Sequence, residues 1–245
     1  MTFTQVSSQP PAKDNLSPIM TAARMSSCRK LQLNNIAPVA SGHERDIYIL
    51  SAFPGILVKV ANHKKKQKIN WRKRLKQRFI STSPHLRQMR ELKFYFELKL
   101  KEHSMKRPAP VADMFGFVDT DLGPGLICEA IHQKDGQLAP TLKRLLQEHQ
   151  DASTVIDLLN DFVSEAYEWN MVANDINLVN LVLSTREQKR LVLVDGLGFR
   201  GNLGTRTLFR HLNFRSLDRR FAKLDIHPDY AWNTKKRQYQ PKAPQ

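Results

Sequence analysis

Cysteine is nearly absent from this chain of 245 residues: Cys28 and Cys128 are the two present, far apart and in no Cys-x-x-Cys pair. That excludes a disulfide framework, gives no sign of a thiolate zinc site, and fits a reducing compartment. Long apolar runs are missing as well. No stretch approaches the roughly 18 consecutive apolar residues of a membrane-spanning helix. The first residues also lack the basic-then-apolar order of a secretory signal, so the expectation is a cytoplasmic protein with no transmembrane segment. No internal repeat of useful length is visible. The eight histidines show no metal-site spacing. Acidic residues are few, 23 against 39 Lys and Arg, and the formal net charge is +16. Such an excess points to an anionic partner or ligand and says nothing about fold.

The excess is local. Between Ile47 and Arg90 there are 12 basic residues and no acid, and from Phe199 onward 11 basic residues face 3 acids, so the remainder is mildly acidic. What is present suffices for a buried core: 41% of residues are hydrophobic and 25% charged, as in one or two folded domains. Residues 1–34 mix Ser, Pro, Gln and Asn with little periodicity and read as a disordered leader outside the fold. Short runs rich in branched residues follow, Arg45 to Leu50 and Gly55 to Ala61, the pattern of two joined strands. From Ser83-Pro84 the period becomes helical, with Leu86, Met89, Leu92, Phe96 and Leu100 as the expected core-facing stripe. Val111 to Val118 and Gly125 to Glu129 read as strands. Thr141 to His149 and Thr154 to Trp169 read as helices, and Leu181-Val182-Leu183 with Leu191 to Val194 as a hairpin.

Four elements carry chemistry by their order: Lys59 on a strand, Glu91 on the next long helix, Asp175-x-x-x-x-Asn180 after a helix, and Asp195-Gly196-Leu197-Gly198 after a strand. This is the order of a kinase-type phosphotransfer site. There a strand lysine holds nucleotide phosphates, a helical glutamate orients the lysine, and an aspartate and an asparagine share one loop. Such chemistry proceeds by positioning and by neutralising charge on phosphate oxygens, so hard oxygen ligands for Mg²⁺ are needed. Asp195 and Asn180 are the expected metal ligands. Asp175, Lys59 and Glu91 are the expected catalytic group, with Asp175 taking or orienting the proton of an attacking hydroxyl. Plainer readings stand beside these. Asp175 also suits a turn or helix cap, Lys59 a strand edge along which its stem snorkels, and Glu97 or Glu102 is an alternative partner for Lys59.

The sequence resembles the YrbL proteins of the PhoP regulatory network, which look like compact relatives of the protein-kinase fold. The resemblance lies in Gly42-His43-Glu44-Arg45-Asp46-Ile47-Tyr48, Leu57-Val58-Lys59-Val60, Arg90-Glu91-Leu92, Phe115 to Gly125, Asp135-Gly136, Leu138 to Leu142 and Leu193-Val194-Asp195-Gly196-Leu197-Gly198. It implies an α+β chain with a two-lobed protein-kinase-like fold: an antiparallel N-lobe sheet over 35–131 carrying a basic insertion at 62–82, a short, mainly helical C-lobe over 132–228, and a basic tail at 229–245. It also implies a nucleotide between the lobes. Ser41 and Gly42 then stand at the phosphates, Lys59 binds them, and a hinge near Glu129-Ala130-Ile131 places Glu129 and Ile131 at the base. The cofactors implied are ATP and Mg²⁺. Departures from well-known kinases are plain: Gly42 stands alone where several glycines are usual, Ala173-Asn174 replaces His-Arg, Asn177 replaces a lysine, and Leu197 replaces phenylalanine. Only 50 residues follow Asp195 and no Ala-Pro-Glu segment is among them, so the expected phosphoryl acceptor is not a typical protein substrate.

Residues 63–79, with Trp71, Leu75 and Phe79 at four-residue spacing among nine Lys and Arg, suit either a helix packed on the body or a contact with an anionic partner, nucleic acid or anionic lipid. The competing expectation is therefore a catalytically inactive kinase-like regulatory module that uses its basic segments for binding.

Overall fold

The computed structural model describes residues 17–27, 30–42, 45–62, 84–148, 151–185, 188–198 and 210–242. The basic insertion expected at 62–82 lies outside them from residue 63 on. Among the described residues the chain is a mixed α+β fold with five α-helices and a five-stranded antiparallel sheet. The sheet strands are β1 (Ala40–Ser41), β2 (Arg45–Tyr48), β3 (Ile56–Ala61), β4 (Met114–Thr120) and β5 (Gly123–Glu129), in the order β1-β2-β3-β5-β4. Helix α1 is Pro18–Ser26 and α2 is Pro84–Met105. Helices α3 (Leu142–Glu148) and α4 (Ala152–Glu168) precede a hairpin of β6 (Leu181–Ser184) and β7 (Arg190–Leu193). Helix α5 (Arg210–Phe221) and a second hairpin, β8 (Tyr230–Asn233) and β9 (Gln238–Pro241), complete the chain. No helix among the described residues is long and apolar enough to cross a membrane.

The strand β3 explains how the sheet serves two neighbours. Its residues alternate between faces, as a pleated strand must. Ile56, Val58 and Val60 pack with Val118 and Ile127 beneath Ala22 and Met25 of α1 and beneath Leu31 and Leu33. Leu57 and Lys59 turn the other way, Leu57 packing on the larger core. Gly125 on β5 makes this sandwich possible: a Cβ there would lie 2.4 Å from Val58 Cγ1. Part of the stretch expected as a disordered leader is thus corrected. Ser17 caps α1 ahead of a proline suited to the first helical turn, and Leu31 pairs with Thr120 through an isolated bridge. Residues 1–16 lie outside the description.

The stripe expected on α2 is corrected too. Met89, Phe96 and Leu100 are exposed, while Gln88, Glu91, Phe94, Tyr95 and Leu98 are buried. The buried face is mixed: beside Phe94, Tyr95 and Leu98 it takes in Gln88, whose Nε2 donates to the Lys59 carbonyl at 3.2 Å, and Glu91, which has a cationic partner below. The larger core gathers Val155, Ile156, Leu159, Phe162, Val163 and Ala166 of α4 with Trp169 and Phe221. Asp151 starts α4 by accepting the Ser153 amide at 3.0 Å. Residues 229–245, read as a tail, fold back over 230–241 as the β8–β9 hairpin. Asn160 Nδ2 donates to the Tyr239 carbonyl at 3.1 Å, and the Tyr239 amide donates to Asn160 Oδ1 at 2.8 Å.

Candidate active-site cleft

One cleft of about 690 Å³ lies between the sheet and the loops that follow α4 and β7. Ser41, Gly42, Lys59, Glu91, Glu129, Asp175, Asn180 and Asp195 all line it. Ile131 does not. Its side chain packs with Ala112, Ala139, Val182 and Val192, and its carbonyl accepts the Ala139 amide at 2.9 Å, because the chain turns inward after Ala130. Glu129 is buried, and its carboxylate accepts the Asp113 amide at 3.1 Å.

The loop wall is built by backbone contacts between two segments distant in sequence. Asn174 and Asp175 direct their amides at the Gly196 carbonyl, at 2.8 and 3.3 Å, and the Gly198 amide donates to the Val172 carbonyl at 2.7 Å. Glycine is required at 196. Its φ is +95°, and a Cβ would stand 2.8 Å from both Asp175 Cβ and the Asp175 carbonyl oxygen. Within the first segment Asn177 is the organiser. It donates to Asp175 Oδ1 at 3.0 Å and accepts the Val179 and Asn180 amides at 3.0 and 2.9 Å. Asn180 Nδ2 donates to the Asp175 carbonyl at 2.9 Å, which leaves its amide oxygen as a donor atom for a cation. From α5, Arg220 clasps Asn174, with Nη2 2.6 Å from Oδ1 and Nη1 on the carbonyl.

The sheet wall brings cations. Lys59 is 2% exposed and donates to the Val194 carbonyl at 2.6 Å. Burial works against its ammonium, but Cys128, Asp195 and Glu91 outweigh that and hold its pKa above the ordinary value. Among the described residues Lys59 makes no ion pair with Glu91, which corrects the expected lysine–glutamate couple. Glu91 pairs with Arg45, whose Nη1 lies 2.6 Å from Glu91 Oε2 and 3.2 Å from Asp195 Oδ1. Arg45 is the nearer cation because it enters from β2, beside Glu91, whereas Lys59 reaches past toward β7. The alternative glutamates are occupied elsewhere: Glu97 faces Lys93, and Glu102 binds Lys99 and the Ala109 amide.

The two carboxylates are driven apart in proton affinity. Asp195 would be raised by burial, but Lys59 and Arg45 outweigh that, and with the Gly196 amide they hold it at about 2. Burial raises Glu91, with Asp195 adding to the effect and Arg45 and Lys59 opposing it. At neutral pH Asp195 is therefore ionised, and its carboxylate is 32% exposed. Among the described residues no group of three His, Cys, Asp or Glu forms a metal cage. Asp195 with the Asn180 amide oxygen is instead a sparse, hard-oxygen pair, the kind that Mg²⁺ uses when phosphates and water complete its shell.

Arg45, Asn177 and Arg220 escaped sequence reasoning as functional or supporting residues. Arg45 and Asn177 stood inside recognised motifs without a role. Nothing in the sequence marked Arg220.

The chain belongs to a family of regulatory-network proteins that spans most of its length: the family described as PhoP regulatory network protein YrbL matches residues 31–228. No curated protein matches it significantly. Among solved structures it is similar to WbdD, with a TM-score of 0.40 and 12% identity over 67% of this chain. It spans 33% of that chain's length, and so remote a likeness bears neither on the fold nor on the chemistry.

Proposed function

We propose that this cleft binds Mg·ATP within a two-lobed, kinase-like arrangement and transfers the γ-phosphoryl group to an acceptor hydroxyl. The observation that carries this reading is the convergence of Lys59, Asp175, Asn180 and Asp195, from a strand and two loops, on one cleft. In this reading Asn180 and Asp195 hold Mg²⁺, which supplies charge neutralisation at the phosphate oxygens. Lys59 lies at the phosphate end of the cleft. Asp175, its carboxylate steadied by Asn177, orients the acceptor hydroxyl and takes its proton.

Calorimetric titration of the whole chain with ATP and Mg²⁺ tests it, alongside Asp195→Asn and Lys59→Ala. Metal-dependent binding by the intact chain, lost in both variants, is the expected result and justifies a screen of acceptors for ³²P transfer. Absence of binding by the intact chain overturns the reading. A second reading, a catalytically inactive module that binds anionic partners through its basic segments, has one observation in its favour: Arg45 sits on Asp195, where the cation is needed. It is supported if nucleotide fails to bind while an anionic polymer or vesicle does.

A further inference from the structure

Arg45 is the first residue of β2, is only 12% exposed, and lines the cleft. Its carbonyl accepts the Gly42 amide at 2.8 Å, so the guanidinium springs from a strand end held beside Gly42, which also lines the cleft. Two described groups of the strand end before it are already engaged. The Gly42 amide is spent on Arg45 and the Ser41 hydroxyl donates to Asp46 Oδ1. The guanidinium, by contrast, makes both of its described contacts through Nη1, which leaves Nε and Nη2 as donors.

The charges point the same way. Arg45 and Lys59 together balance Glu91 and Asp195, whereas without Arg45 the set would be anionic and would repel a polyphosphate. The contact with Glu91, 2.6 Å, is the shorter, and that with Asp195, 3.2 Å, is the one with hydrogen-bond geometry. A cation taken up by Asp195 competes for the oxygen that Arg45 contacts, whereas the ion pair with Glu91 does not depend on that oxygen. Planar forks bind phosphate oxygens in pairs, which a lysine ammonium cannot do.

We propose that Arg45 is a phosphate-binding residue of the cleft, contributing a guanidinium where a glycine-rich loop would contribute backbone amides, with Glu91 as its positioning partner. This rests on the nucleotide reading above. The test is calorimetric titration of the full chain with adenosine, AMP, ADP and ATP in the presence of Mg²⁺, comparing wild type, Arg45→Lys and Arg45→Met. Adenosine affinity is expected to stay within about twofold, while ATP affinity falls on the order of tenfold to hundredfold in Arg45→Met, with Arg45→Lys in between. Equal ATP affinity in wild type and Arg45→Met overturns the inference. So does an equal loss for adenosine and ATP, which makes Arg45 a structural counter-ion only. If Arg45→Met does not fold, the double variant Arg45→Met/Glu91→Gln, which strands no carboxylate, is compared with Glu91→Gln in the same titrations. Wild type that binds no nucleotide at all is the distinct failure of the underlying reading and removes this inference with it.

Discussion

The two walls of the cleft hold their charged groups by different means. On the loop wall, Asp175, Asn180 and Asp195 are placed by backbone amides and by the short side chain of Asn177, so their positions follow from chain geometry. On the sheet wall, Arg45 and Lys59 are long side chains placed by what they touch, a carboxylate pair and a single carbonyl. The loop-wall oxygens are therefore fixed by the chain, while the cations depend on the side-chain and carbonyl partners they touch. Under the proposed nucleotide reading, such a cleft would keep its oxygens in place and rearrange its positive charge on binding.

Substitutions break this contrast in order of size. Arg45→Met leaves the Glu91 carboxylate buried without its nearest cation, and unpairing a buried ion pair costs about 3–5 kcal/mol. Denaturant unfolding should show that loss, and the added Glu91→Gln change should recover most of it. Gly196→Ala attacks the loop wall. A non-glycine residue at this φ costs roughly 1–3 kcal/mol, and the clash with the Asp175 backbone forces the two loops apart. Nucleotide titration should therefore lose more than the thermal melt implies. Asn177→Ala frees the Val179 and Asn180 amides and the Asp175 carboxylate; at this accessible position about 1–2 kcal/mol of stability is expected to go.

Acid sharpens the contrast without a structural change. Asp195 ionises at about 2 in the folded chain and at ~3.9 when unfolded. Its contribution to stability is therefore complete above about pH 4 and is lost as pH falls toward 2. Asp195→Asn should flatten that limb of a stability–pH curve; an unchanged limb would contradict the pairing with Lys59 and Arg45. The smallest effect belongs to Lys93→Ala, on the outer face of α2. Its ion pair with Glu97 spans 3.8 Å at an exposed site, so a change under about 0.5 kcal/mol is expected in the same unfolding assay.

The strands around Lys59, the β6–β7 hairpin and the Asp175-to-Asn180 spacing were legible because each is a local pattern of alternation or short separation. Eight of nine expected site residues line the cleft, with Ser41, Gly42 and Glu129 among them expected from the family resemblance and not from a local pattern. The role of Arg45 was not legible. Its partners lie at positions 91 and 195, and no local pattern encodes a pairing across such distances. The α2 stripe misled because apolar periodicity assumes that the buried face is the apolar one, whereas here Gln88 and Glu91 are drawn inward and Phe96 and Leu100 are left outside. Helix α1 was missed because its few apolar residues, Ala22 and Met25 among them, count only once a sheet lies beneath them.

The β8–β9 hairpin begins just past residue 228, where the family match ends. Its Tyr239 hydroxyl donates to the Phe221 carbonyl at 2.6 Å, at the last residue of the helix whose neighbouring Arg220 grips Asn174 beside Asp175. Arg237 reaches back as well, stacking over Tyr167 and Phe214. The hairpin thus acts as a buttress. Trimming the chain to its family-matched span would take away a support on which the far side of the cleft leans, so an economical fragment would be a poor surrogate for the 245-residue chain.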